Sequence, residues 1–370
     1  MINHWVGNFS TIIFTESSIN LGGQELQALQ QMSALNELGY QTILLCKSGS
    51  AISTAAQLRG LQFLALTFRN AFDLKSIALV SKLIQQYRPI ALMCHGSRDA
   101  LISALAMKCF ALIGICPPKL FRIKTFQQGR PLSFAYNYLF NSTLVPSEHL
   151  RQKFLVNKWI KPNKIKVLYP GIHFSALDLH ESALPDTLLD WLDTHPGAVI
   201  SHGAVLRGEK GHATILQALL IVREQYPNIR YVIAGDGHDR SLLERQIQDL
   251  DLTENVFLAG HLSSVAPLLK RSDLAVLPSL REPLGMFQIE AQYLEVPVIA
   301  SDVDGIPETI LHQKTGLLVK PGDPEEWAVA ILWVLNHSDL AKQLAIAGKS
   351  YVAEKFSIDK NTQALLMLVN

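Results

Sequence analysis

The chain has little cysteine, almost no net charge, and no apolar run long and clean enough to cross a membrane. Its four cysteines, Cys46, Cys94, Cys109 and Cys116, lie in or beside apolar runs and form neither a CxxC pair nor a metal-ligand spacing. That argues against a disulfide framework or a zinc module and predicts buried, reduced thiols. With 33 basic and 32 acidic residues the formal net charge is +1, so a dedicated nucleic-acid binder is not expected. The longest apolar stretch, residues 100–116, carries Lys108 near its middle. It suits a buried helix ending at the turn Pro117-Pro118 better than a span. The start of the chain has no basic n-region, which with the free thiols points to a reducing cytoplasm. No GxGxxG occurs, so a dinucleotide cofactor is disfavoured. No internal repeat and no low-complexity segment interrupts the chain.

What is present is a globular composition, 48% hydrophobic against 18% charged, in a chain of 370 residues that exceeds one ordinary core. Two domains are expected. Short apolar strand patterns alternate with helical ones from Thr11 onward, which implies right-handed βαβ crossovers and parallel sheets, an α/β fold. The motif Tyr169-Pro170-Gly171-Ile172-His173 closes a first domain, residues 1–173. A composition shift over residues 174–196 opens a second, residues 174–350. A last helix, within residues 351–370, is placed back against the first domain. A crevice between the halves is where a ligand site is expected.

The organising stretch is Ser279 to Glu308. Leu274–Leu277 is a strand pattern, Pro278, Pro283 and Gly285 break the backbone, and a helical pattern runs from near Gly285 to Leu294. Glu282 falls in the loop and Glu290 on the helix. The first amides of that helix, on Gly285, Met286 and Phe287, suit an anion. Carboxylates for hydroxyls beside amides for phosphate fit a sugar nucleotide. An earlier loop, residues 203–211, holds Arg207 and Lys210 before a helix. That pair suits a diphosphate, though for the loop taken alone a surface turn with two solvated cations is the preferred reading. Gly235-Asp236-Gly237 forms a turn after a strand, where Asp236 caps backbone amides or touches ligand. Residues 260–263, with Leu262, are a candidate nucleobase rim. In the first domain Gly22-Gly23 follows the first strand, where backbone can approach a ligand closely. No dedicated metal cluster stands out.

Residues 151–166 contain Arg151, Lys153, Lys158, Lys161, Lys164 and Lys166 without an acid, interleaved with Phe154, Leu155, Trp159 and Ile160. The stretch is either a solvated helix with a few core contacts or an interfacial patch for anionic lipid, which Arg122, Lys124 and Arg130 would extend.

The succession Leu206-Arg207-Gly208-Glu209-Lys210-Gly211-His212, Ala234-Gly235-Asp236-Gly237, Leu277-Pro278-Ser279, Glu282 and Glu290 with Gly285 between, and Gly305-Ile306-Pro307-Glu308 resembles the signatures of family 4 glycosyltransferases. The first half is similar in weaker features: Gly22-Gly23, the strand from Arg88-Pro89 to His95, Val145-Pro146-Ser147-Glu148 and Gly171-Ile172. The resemblance implies a GT-B architecture, two Rossmann-like domains facing across a cleft. It implies transfer of a sugar from a nucleotide diphosphate sugar, with retained configuration and neither metal nor other cofactor. By position, Arg207 and Lys210 would hold the diphosphate, Glu290 the ribose hydroxyls and Glu282 the donor sugar. The amides of Gly285, Met286 and Phe287 would serve phosphate or sugar, with Gly22 and Gly23 facing the phosphate from the other domain. Gln127 and His95 are the acceptor-side candidates, Gln127 standing where many relatives carry histidine. His173 likewise stands where aspartate is common. The expected partners are a UDP- or GDP-sugar and a glycan or lipid-linked acceptor. The family's habit points to lipopolysaccharide core or another cell-envelope glycan, made in the cytoplasm with at most peripheral contact with an anionic membrane. The rival readings are a sugar-nucleotide epimerase, a phosphorylase, and a binding protein that keeps the donor pocket without turnover.

Overall fold

The computed structural model describes residues 10–70, 73–112, 116–127, 129, 131–179 and 184–370. The chain divides into two compact units. One holds the residues up to Ile172 together with Ser357–Asn370, and the other is His173–Phe356.

The first unit is a seven-stranded sheet of β1 (Thr11–Glu16), β2 (Gln41–Cys46), β3 (Phe63–Ala65), β4 (Ala91–Cys94), β5 (Lys119–Ile123), β6 (Ser142–Val145) and β7 (Ile165–Val167), in the order β3-β2-β1-β4-β5-β6-β7. All its pairings are parallel. Both faces are covered, which is why the strands are near-continuous apolar runs. Ile12 and Phe14 of β1 pack against Leu29, Met32 and Leu35 of the helix Gly23–Glu37. Ile13 points the other way, onto Val80, Leu83 and Ile84 of the helix Leu74–Tyr87.

The helix Ile358–Val369 belongs to this unit: Leu365 and Val369 join the core beneath β1. Gln31 Nε2 donates to Asn361 Oδ1 at 2.9 Å, and Asn361 Nδ2 donates to the Tyr169 carbonyl. Gly171 permits this docking. A Cβ there would lie 2.6 Å from the Asn361 Cβ and 2.8 Å from the Ile358 Cα. The expected start of this segment at 351 falls inside the helix Ser338–Phe356, and the chain changes unit after Phe356.

The second unit is a parallel six-stranded sheet of β8 (Val199–Gly203), β9 (Arg230–Ala234), β10 (Val256–Gly260), β11 (Leu274–Leu277), β12 (Val298–Ser301) and β13 (Leu317–Val319), ordered β10-β9-β8-β11-β12-β13. Alternation assigns its faces. Leu274 and Val276 meet Trp327 and Ile331 of the helix Pro324–Asn336, while Ala275 and Leu277 meet Phe287 and Ala291.

The α/β class with parallel sheets read from the sequence is the one observed. Four local differences have physical reasons. Cys46 and Cys94 are buried in strands, but Cys116 is exposed, because it stands outside any strand or helix, before Pro117-Pro118 and β5. The side chain of Cys109 lies outside the described residues. The helix expected from Gly285 begins at Phe287, since Gly285 has φ +85°. The basic stretch is not one helix: it is a helix only over Glu148–Leu155, then turns into β7. The short helices Ala51–Leu58 and Ser133–Tyr138 escaped the periodicity reading, the second because six residues are too few to set a period.

Candidate functional site

In each sheet the chain order reverses once, between β1 and β4 and between β8 and β11. Loops leaving the carboxyl ends of such neighbours run apart and open a crevice, the usual ligand position in parallel sheets. Of the residues singled out in the sequence, Arg207, Lys210, Glu282, Gly285, Met286, Phe287 and Glu290 follow β8 or β11, and Gly22, Gly23 and His95 follow β1 or β4, while Asp236, Leu262 and Gln127 follow β9, β10 and β5.

After β8 the chain forms the loop Ala204–Gly211, and after β11 the loop Pro278–Met286. They are tied backbone to backbone, Leu280 N donating to Glu209 O at 2.8 Å. Gly211 makes the fit possible: it has φ +74°, and a Cβ would sit 1.9 Å from the Pro278 carbonyl oxygen. Across this junction Lys210 Nζ donates to Glu282 Oε2 at 2.7 Å, the two side chains only 16% and 13% exposed. A charge-assisted bond so removed from water is strong and directional. The loop is held from its other side by the turn after β12: Glu282 N donates to Asp304 Oδ2 at 3.0 Å, and Gly305 N to Glu282 O at 3.1 Å. Asp304 was missed in the sequence. Its signal was there, as the acid-rich triplet Asp302-Val303-Asp304 directly after an apolar strand. Arg207 does not join the pair. Its guanidinium stands 3.3 Å from Glu209, and both side chains are a little under half exposed.

The helix Phe287–Tyr293 opens at the same place. Its Phe287 ring fills the space left by Gly203 and belongs to the core. The backbone N–H groups of Gly285, Met286 and Phe287 donate to no group among the described residues. The helix is locked from behind by amide side chains. Gln288 Nε2 donates to Leu284 O at 2.8 Å and to Thr309 Oγ1 at 3.0 Å, and Gln292 Nε2 to Thr309 O at 3.0 Å. The carboxylate of Glu290, a half-buried residue of this helix, has no hydrogen-bond or ion-pair partner among the described residues. Burial pushes its carboxyl up to about 7.

Beneath Lys210 lies a pair of stacked imidazoles, His202 and His212, with ring centroids 4.5 Å apart. His202 Nδ1 meets the Tyr231 hydroxyl at 2.7 Å. Burial holds both rings neutral, His212 down at about 4. Asp236 Oδ1 accepts from Gly237 N at 2.8 Å, so its carboxylate caps its own turn. Leu262 packs against the cluster around Leu188, Val232 and Leu268.

At the β1/β4 point of the first unit, Gly22 caps the helix Gly23–Glu37 and its N–H donates to Glu25 Oε2 at 2.9 Å. A Cβ on Gly23 would meet nothing within 4 Å. His95 is buried, stacked on Phe14, with Nδ1 at 3.3 Å from the Thr15 carbonyl. Burial lowers its basicity. Gln127 is buried as well, its Nε2 3.3 Å from the Gly129 carbonyl. Nothing in the sequence pattern singled out Glu16, at the end of β1. This buried carboxylate accepts from Ser18 N at 2.8 Å and Gln24 Nε2 at 3.0 Å, and burial raises its pKa. Gln24 relays this contact to Thr125, whose hydroxyl donates to Gln24 Oε1 at 3.0 Å.

Residues 195–351, within the second unit, match the family model Glycosyl transferases group 1. Over 300 residues the chain is 26% identical to the capsular polysaccharide biosynthesis glycosyltransferase CapM of Staphylococcus aureus, spanning 77% of each protein. Alignments with other curated relatives span about half of the relative or less. A glycosyltransferase structure from Rickettsia africae superposes with TM-score 0.87 at 21% identity, over 98% of both chains. Anabaena HepE in complex with UDP-glucose superposes with TM-score 0.81 at 19% identity, over 96% of this chain and 98% of that one. These likenesses identify the fold as that of the GT-B glycosyltransferases.

Proposed function

We propose that the protein is a retaining glycosyltransferase of the family 4 type, moving a hexosyl or related residue from a nucleotide diphosphate sugar to a glycan or lipid-linked acceptor. The carrying observation is the Lys210–Glu282 pair, at 2.7 Å and largely out of water, beside the unpaired amides of Gly285, Met286 and Phe287 at the β8/β11 switch. In that arrangement the diphosphate takes the place of Glu282 on Lys210, adds the three amides, and recruits Arg207 from its solvent-facing pairing with Glu209. Glu282, released, turns its oxygens to hydroxyls of the donor sugar. Glu290, ionised, takes the ribose hydroxyls.

The bond from the anomeric carbon to the diphosphate breaks as the acceptor oxygen bonds to that carbon on the same face. The acceptor proton passes to the departing phosphate. Negative charge grows on that phosphate, and fixed cations and oriented amides stabilise it without a metal ion. HepE's complex with UDP-glucose favours a UDP-sugar as donor, and the role of CapM in capsular polysaccharide biosynthesis favours a cell-envelope acceptor.

The test is calorimetric titration of the full chain with UDP- and GDP-sugars, then product analysis with envelope glycans as acceptors. Binding of a nucleotide sugar that Lys210→Ala weakens at least about tenfold, with an α-configured product from an α-donor, is expected. Full turnover by Glu282→Ala would overturn the assignment.

A further inference from the structure

We propose that the described residues among 126–161 of the first unit form a docking face for an anionic lipid bilayer. Six large apolar side chains stand in solvent there: Phe126 at 42% exposure, Leu132 at 79%, Phe134 at 67%, Tyr138 at 57%, Val156 at 72% and Trp159 at 82%. They come from separate segments that hold one another. Phe134 and Tyr138 lie one turn apart on the helix Ser133–Tyr138, with ring centroids 5.3 Å apart. Asn137, on the buried side of that helix, donates to the Trp159 carbonyl at 2.8 Å and accepts from Lys161 N at 3.0 Å. Asn157 donates to the Pro131 carbonyl at 2.8 Å and so fixes the approach to Leu132. Beneath them Tyr136 and Phe154 pack edge to face, centroids 5.1 Å apart. The backbone is thus anchored through the amides of Asn137 and Asn157 while the large side chains point outward. Apolar residues concentrated in this way mark a surface that something covers.

The charge around these side chains selects the occupant. Lys153 Nζ lies 5.9 Å from the Phe126 ring centre, and Lys161 Nζ lies 5.5 Å from that of Tyr138. Lys158, beside Trp159, is exposed. Between Lys119 and Leu168 the only acid in the sequence is Glu148, and Arg151 holds its carboxylate at 2.8 Å. Aromatic rings with aliphatic neighbours and an acid-free lysine rim fit the bilayer interface, rings among the headgroups and ammonium groups on lipid phosphates. A nucleic acid would match the lysines but not Leu132 and Val156. A second copy of the chain would bring the same lysines against themselves.

The proposal stands apart from sugar transfer, because vesicle binding is measured with neither donor nor acceptor. The full chain is sedimented with vesicles of phosphatidylcholine alone or mixed with phosphatidylglycerol, at rising salt. Binding to the anionic vesicles, falling at least about tenfold as salt screens the lysines, is expected. Two independent variants, Phe134→Ser with Trp159→Ser, and Lys153→Glu with Lys158→Glu and Lys161→Glu, should each lower binding at least about tenfold while unfolding at the wild-type temperature. Equal binding to both lipids, absent binding, or binding retained by a folded variant of either kind would overturn the proposal. So would self-association that the serine variant abolishes in a chain that ignores vesicles.

Discussion

Replacing Glu290 with glutamine should stabilise the protein and impair it at once. The carboxyl is pushed from 4.5 to about 7 because burial disfavours its charge and no partner compensates. The unfolded chain gives up this proton near 4.5, the native state only near 7. Between those values the native state binds more protons than the unfolded one, so stability falls as pH rises through that window and is level beyond it. The interval amounts to about 3 kcal/mol. Glu290→Gln removes the penalty. Its advantage over wild type should be near zero at the acid end of the window and grow to about 3 kcal/mol above pH ~7. His212 runs the other way, but it is common to both proteins and cancels in the difference. Urea unfolding of both proteins at steps across the window measures that difference directly. Donor binding supplies the second reading: if ionised Glu290 accepts ribose hydroxyls, affinity for a nucleotide sugar rises with pH through about 7 in the wild type and is weak and level in the variant. A stability difference independent of pH would refute the electrostatic argument. Unchanged binding by the variant would refute the ribose assignment.

Lys210→Met leaves the Glu282 carboxylate largely buried without its cation. A loss of about 2 kcal/mol is expected, below the figure for a fully buried pair because both side chains keep some exposure, and Glu282→Gln in the same chain should recover part of it in a double-mutant cycle. His212 is held down at about 4 against an ordinary 6.5. Stability is therefore lost as pH falls from 6.5 through about 4, by about 3 kcal/mol in all, and His212→Phe should flatten that acid limb in unfolding titrations. Gly171→Ala drives a Cβ into Ile358 and Asn361, at a cost of about 1–3 kcal/mol. Hydrogen exchange should then rise selectively in the helix Ile358–Val369, and unchanged protection there would show that the contact is dispensable.

Much of the fold could be read along the chain because the signals are local. A strand such as β11 shows itself as four apolar residues ended by proline, and the helix Ile358–Val369 shows a 3.6-residue rhythm after a serine cap. The basic stretch misled because a run of lysines specifies charge but not periodicity, and Trp159 gives no sign in sequence that it faces out while Ile160 faces in. Arg207 and Lys210 looked like a pair for the same reason: closeness in sequence said nothing of side-chain direction in a loop that turns between them.

By itself the sequence determined the elements, the parallel α/β class and the glycines without which the loops could not meet, since dihedral preference and apolar spacing act within a few residues. Only the tertiary structure decided that Lys210 finds Glu282, 72 residues on. It also decided that Asp304 holds the backbone of Glu282, and that Phe134 and Trp159 share one face. The contacts of Lys210 and Asp304 follow from strand order, with β11 between β8 and β12. Strand order is settled by which apolar faces can be buried together, a property of the whole sheet that no single stretch of chain carries.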